Sequence, residues 1–144
     1  AKKYCQEKGI ACTEATAANS SEVQQAARAL VTKCDAIFTP TDNTVATGMT
    51  SLSEIAAEAK IPVFAGADSM VKDGALATIG INYEDLGRET ALMAVKVLAG
   101  TKVSDIPIKV FDDLDTYINT KTAAQIGFEF SPEFLAGERV IDLA

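Results

Sequence analysis

Apolar residues recur along the chain with two interleaved periods, one near 3.6 residues and one near 2. The helical period runs through Val23, Ala26, Ala27, Leu30 and Val31, through Met49, Leu52, Ile55, Ala56 and Ala59, and through Leu86, Met93, Val97 and Leu98. Each stripe would give a helix one buried face. Polar caps open the first two, with Asn19, Ser20 and Ser21 before one and Thr41, Asp42 and Asn43 before the other. Residues 82–99 read as the strongest helix, ended by Gly100. Residues 1–8 read as the end of a helix stopped by Gly9, residues 120–126 as a short helix, and Ser131-Pro132 as the opening of a last turn, with a cap followed by Pro at the first helical position.

Between these stripes lie short apolar or alternating runs. Residues 10–16, 36–39, 62–65, 75–81, 108–111 and 116–119 read as strands, and residues 66–74 as a loop. Strands that alternate with helices require crossover connections. The expectation is an α/β fold, a three-layer αβα arrangement with a mostly parallel sheet covered on both faces.

Length and composition narrow the classes. The chain has 144 residues, 48% hydrophobic and 23% charged, in the range of one globular domain. No run approaches the roughly 20 apolar residues of a membrane span. The net charge is -7, and no Lys/Arg cluster is present that would displace counterions from nucleic acid. The three cysteines, Cys5, Cys12 and Cys34, match no zinc spacing, and the chain has no histidine. They read as ordinary buried thiols, with a disulfide left open. Without histidine, Ser-His-Asp and Cys-His catalysis is impossible within this chain. No Walker loop and no G-x-G-x-x-G occurs, so no cofactor is expected, and nothing singles out a catalytic acid pair.

In an open parallel sheet, ligands bind beyond the carboxyl ends of the strands. Three polar loops belong there: residues 17–21, 40–44 and 66–72. In the second, Asp42 and Asn43 stand where a helix begins, beside Thr39, Thr41 and Thr44. Helix capping alone would explain Asp42, and the mixed donors and acceptors also suit a ligand. In the third, Gly66 lets the backbone turn, and Asp68 is a carboxylate suited to a ligand ammonium group. The plainer readings of Asp68 are a solvated acid or a second cap.

These loops carry a resemblance. Phe38-Thr39-Pro40-Thr41-Asp42-Asn43-Thr44-Val45-Ala46, Ile61-Pro62-Val63-Phe64-Ala65-Gly66-Ala67-Asp68-Ser69-Met70-Val71, Gly74-Ala75-Leu76-Ala77-Thr78-Ile79-Gly80-Ile81-Asn82-Tyr83 and Tyr117-Ile118-Asn119-Thr120-Lys121-Thr122-Ala123-Ala124 together resemble the ABC-transporter substrate-binding family that includes tryptophan-binding TrpX-type proteins. The resemblance implies a type I periplasmic-binding-protein-like lobe, from a protein of two lobes joined by three crossings with the ligand between them. It assigns residues 1–81 to the second, C-terminal lobe, 82–105 to a helix packing with an absent first lobe, and 106–144 to the return. The crossings fall near residues 80–82 and 105–108.

The implied function is capture of a small ligand, an aromatic or branched amino acid, for an importer's permease and its ATPase, without enzymatic activity. The implied ligand contacts are Asp42, Asn43 and Asp68, with Thr39, Thr44 and Ser69 as accessory donors and Asn82 at the hinge. The implied location is periplasmic or extracellular, with a lipid anchor supplied by a segment upstream. The main rival is the effector domain of a LacI-type transcription regulator, which shares the fold and would need a helix-turn-helix upstream. A nucleotide-dependent enzyme would need a phosphate cradle, and the plainest rival is a fragment inactive by itself.

Overall fold

The computed structural model describes all 144 residues, 1–144. Five strands form one sheet in the order β1 (Ile37–Phe38), β2 (Val63–Phe64), β3 (Ala77–Ile81), β4 (Leu114–Ile118) and β5 (Val140–Asp142). β1, β2 and β3 run parallel, β3 and β4 pair antiparallel, and β4 and β5 are again parallel. The sheet is therefore mixed and mostly parallel, as the alternation of periods requires.

The helices are α1 (Lys2–Glu7), α2 (Ser20–Leu30), α3 (Asn43–Thr47), α4 (Met49–Glu58), α5 (Asp68–Lys72), α6 (Tyr83–Leu98), α7 (Thr120–Ile126) and α8 (Pro132–Leu135). Their starts follow local chemistry. Asn19 accepts from Glu22 N while the Glu22 carboxylate takes hydrogen bonds back from Ala18 N and Asn19 Nδ2, a reciprocal cap. Asn119 caps α7 through Thr122 N and donates to the Val71 carbonyl, which fastens α7 to the end of α5. Ser131 caps α8 with Pro132 at its first position.

One cluster of 14 buried side chains forms the main core. It joins Val23 and Ala27 of α2, Met49, Leu52, Ile55 and Ala56 of α4, and Met70 and Val71 of α5 to Ile37, Val63 and Tyr117 of the sheet. A smaller cluster, Leu76, Ala123 and Ile126, has Ala57 of α4, Ala77 and Phe130 against it, where α7 packs beside α4. The face of the sheet turned away from the main core is left open along β1, β2 and β3. Phe38, Phe64 and Ile79 are exposed, Phe38 to 62% and Ile79 to 67%.

Full coverage of both faces, and burial of Phe38 and Phe64, are thus corrected. In each two-residue strand one side chain points inward, Ile37 or Val63, and the other faces the uncovered side. Two expected strands also fail to form. Residues 10–16 and 108–111 have no regular structure, and Ile10 and Ile108 are exposed. Their sequence suits a strand, but no strand lies beside them to form a ladder, and a strand without a ladder gains nothing over hydration.

The 66–74 loop contains a helical turn, α5, and the stripe after Asp42 breaks at Gly48 into α3 and α4. There a Cβ would come within 3.0 Å of Val23. β5 is an additional strand. None of the cysteines is fully buried: Cys12 is exposed, Cys5 and Cys34 are half-buried, and all three are free thiols.

α6 has no buried residue, and Leu92, Val95, Val97 and Leu98 on it are exposed. It begins directly after β3. Pairing between β3 and β4 runs from Ala77↔Ile118 to Ile81↔Leu114, so residues 82–113 leave the sheet and return beside the point of departure.

Candidate functional site

The carboxyl ends of β1 and β2 open onto a groove of about 420 Å³. Thr41, Asp42, Asn43 and Ala46 line it from the loop after β1 and from α3, Ala67, Asp68, Ser69 and Met70 from α5 and its approach, and Tyr83 from the start of α6. The two loops touch. Thr41 Oγ1 donates to the Gly66 carbonyl at 2.9 Å, and a Cβ on Gly66 would fall 2.5 Å from Thr41 N and Oγ1. Gly66 is required for this close approach rather than for a left-handed turn.

Asp42 is the N-cap of α3. Its Oδ1 accepts from Thr44 N at 2.8 Å and Val45 N at 3.1 Å, so capping occupies one oxygen of a residue that also lines the groove. Asp68 is the first residue of α5, where the dipole favours a carboxylate. Its only cationic partner is Lys72 one turn on, with Nζ 3.7 Å from Oδ2. With Lys72 exposed and Asp68 half-buried, a pair this long is worth about 1 kcal/mol. Asp68 is thus a charged acceptor with capacity to spare.

Of the expected contacts, Asp42, Asn43, Asp68 and Ser69 share this groove, whereas Thr39, Thr44 and Asn82 do not line it. Thr39 continues the alternation after the outward Phe38, turns into the core and is 4% exposed, its hydroxyl without a hydrogen bond. Thr44 lies half-buried within α3. Asn82 is occupied elsewhere: Oδ1 caps α6 through Glu84 N and Asp85 N, and Nδ2 donates to Asp115 Oδ2 at 3.2 Å. Tyr83, Thr41 and Met70 are groove residues the expectation left out. Tyr83 arrives from a helix that follows a different strand, and only the folded topology brings it alongside.

Behind the groove, Tyr117 is buried, and its hydroxyl is pushed above the ordinary range by burial and by the Asp115 and Asp68 carboxylates. Asp115 is held below the usual carboxylate range. Its hydrogen bond from Arg139 is the main cause, outweighing burial, and Asn82 adds to it. For Asp142, burial alone would raise the pKa, but hydrogen bonds from Thr120 Oγ1 and N and from Ala144 N bring it down.

Both groups have folded values below their unfolded ones, near 3.9 for Asp. Their stabilisation is therefore complete above that pH and is lost as pH falls through the folded values. Thermal melts should show the midpoint dropping below about pH 4, with a shallower drop in Asp142→Asn. A slope unchanged in that variant would remove Asp142 from the acid response.

The chain resembles known proteins over nearly its whole length. The family model for ABC transporter substrate binding protein matches residues 1–139. A tyrosine-binding protein of Clostridioides difficile (strain R20291) is 40% identical over 119 residues, which is 83% of this chain and 34% of that protein. A Streptococcus pneumoniae ABC domain solved in complex with L-Trp superposes with a TM-score of 0.84 at 32% identity, covering 97% of this chain and 48% of that one. A ligand-free, open substrate-binding protein with adhesive properties from Clostridium difficile superposes with a TM-score of 0.77 at 41% identity, covering 98% of this chain and 46% of that one. The chain spans about a third of the curated relative and about half of each solved chain.

Proposed function

Since the chain belongs to the ABC transporter substrate-binding protein family, whose members bind substrate rather than transform it, we propose that it forms most of the second lobe of a two-lobed protein that captures an aromatic amino acid for import. The observation that carries this reading is the convergence of Asp42 and Asp68 from two successive strand ends on one groove that also holds Tyr83. A carboxylate facing a groove suits the ammonium group of an amino acid. The Asn43 amide and the Ser69 hydroxyl are donors suited to its carboxylate. Tyr83 offers a ring against which an aromatic side chain packs.

The groove is open on one side, and half a cleft does not enclose a ligand. In this reading the first lobe closes it. The apolar face of α6, bare in this chain, is the surface on which that lobe packs, consistent with a chain about half the length of its solved relatives. Ligand touching both lobes stabilises the closed form, and that form delivers its cargo to a permease driven by an ATPase. The site of action is extracytoplasmic, and a lipid anchor upstream would hold the protein at the membrane.

The names of the relatives support tyrosine or tryptophan as the ligand. The test is calorimetric titration of a panel of L-amino acids into the complete protein. Saturable binding of L-tyrosine or L-tryptophan, with weaker binding of small polar amino acids, is expected. Absence of heat with every amino acid would overturn the reading.

A further inference from the structure

We propose that Asp115 is a positioning residue for closure: its carboxylate ties the start of α6 to the second lobe and so sets the angle between the lobes. The inference rests on the two-lobe reading above and deepens it. Asp115 stands on β4 opposite Gly80 of β3, one residue into the pairing where the chain leaves for α6 and returns. It is 7% exposed, and each of its oxygens has a separate partner.

Oδ1 accepts from Arg139 Nε at 2.9 Å, and Oδ2 accepts from Asn82 Nδ2 at 3.2 Å. Arg139 is held in place from two further directions. Its carbonyl accepts from Thr116 N at 2.8 Å, and its Nη1 donates to Asp113 Oδ1 at 3.0 Å. The Arg139 side of the carboxylate is therefore anchored in the sheet.

The Asn82 side is different. Asn82 caps α6, and α6 buries no residue of its own in this chain. Its start is held at the sheet end by the β3 backbone and by this amide–carboxylate bond, while the Glu89–Lys109 ion pair at 2.7 Å ties its middle only to the returning part of the same insert. Any change in the direction of α6 moves the next residue, Tyr83, relative to Asp68 across the groove. One buried carboxylate therefore links the return strand, the segment before β5 and the departing helix. The geometry is that of a hinge stop rather than of a ligand contact.

An amide at position 115 has one acceptor oxygen and cannot serve Arg139 and Asn82 separately. In the complete protein carrying a spin label on each lobe, Asp115→Asn should shift or broaden the interlobe distance distribution measured without ligand. Its Kd for L-tyrosine should rise about tenfold, a typical size for coupling between a conformational element and a site. Asn82→Asp is the companion variant. It keeps an acceptor to cap α6 but replaces the donor facing Asp115 with a second carboxylate, and it should disturb the ligand-free distances in the same way.

A folded variant whose ligand-free distances superpose on the parent's, while its melting temperature falls, would make Asp115 a structural staple only and overturn the proposal. Failure of Asn82→Asp to fold would overturn it as well, since the contact would then be a requirement of the fold. If the parent binds neither L-tyrosine nor L-tryptophan, the ligand reading falls, and the ligand-free distances still decide the hinge.

Discussion

Replacing Asp68 with alanine in the complete protein is expected to weaken amino-acid binding by about 2–4 kcal/mol, the range for losing a charge-assisted bond in an enclosed site. At 1.4 kcal/mol per factor of ten, the Kd rises roughly 30- to 700-fold. The effect belongs to binding because Asp68 does little for the fold. It is not a cap, and its one ion pair, with Lys72, is long at 3.7 Å and only half-buried. The melting temperature of Asp68→Ala should therefore stay close to the parent's while the calorimetric affinity collapses. Asp42 would make a poorer probe, since its Oδ1 holds two backbone N–H groups of α3, and its removal would mix helix loss with ligand loss. Affinity unchanged in Asp68→Ala would remove the proposed ammonium role.

Gly66→Ala is expected to damage fold and groove together. The added Cβ would lie 2.5 Å from Thr41 N and Oγ1 and 2.9 Å from the Pro40 carbonyl carbon. Two of these are backbone atoms that do not rotate away, so the loops after β1 and β2 must separate. Overpacking of this kind costs about 1–3 kcal/mol, and loss of the Thr41–Gly66 hydrogen bond adds about 1 kcal/mol. At roughly 2–4 °C per kcal/mol for a domain near this size, the melting midpoint should fall by several degrees. Separation of the loops also pulls Asp42 away from Asp68, so binding should fail even at temperatures where the variant is folded. Gly80→Ala is the control: a Cβ there meets nothing within 4 Å, and the φ angle is not left-handed. Equal melting and equal affinity in the two variants would refute the argument from close approach.

The local features of this fold were legible because their causes are local. Asn19, Asp42 and Ser131 cap the helices they were expected to open, and Thr120–Ile126 is helical over the expected span. The three apolar runs that became β1, β2 and β3 were found because buried strands read as near-continuous apolar segments. The same continuity hid their alternation, which is why Phe38 and Phe64 were expected inside, whereas the placing of Thr39 at the ligand came from the family resemblance alone.

What escaped depends on partners distant in sequence. Residues 10–16 and 108–111 have strand-like composition and no strand beside them. Three residues, Val140–Asp142, form a strand only because β4 offers its edge. Within the site, Asp42, Asn43, Asp68 and Ser69 follow strand ends and were accessible to that rule, whereas Tyr83 enters through the path of α6. Asp115 and Arg139 gave no local signal, because their relation exists only once β4 and the segment before β5 lie side by side.

Ile81 and Leu114 are register partners, so β3 and β4 are the two arms of a single hairpin with 82–113 spliced in at its tip. Loop-closure entropy grows only logarithmically, about 0.6 kcal/mol for each doubling of length, so a hairpin tolerates such an insert at little thermodynamic cost. The consequence is modularity. The insert can lengthen, change its surface or follow a different partner lobe through evolution while the sheet keeps its register, provided that its two ends still meet at the tip.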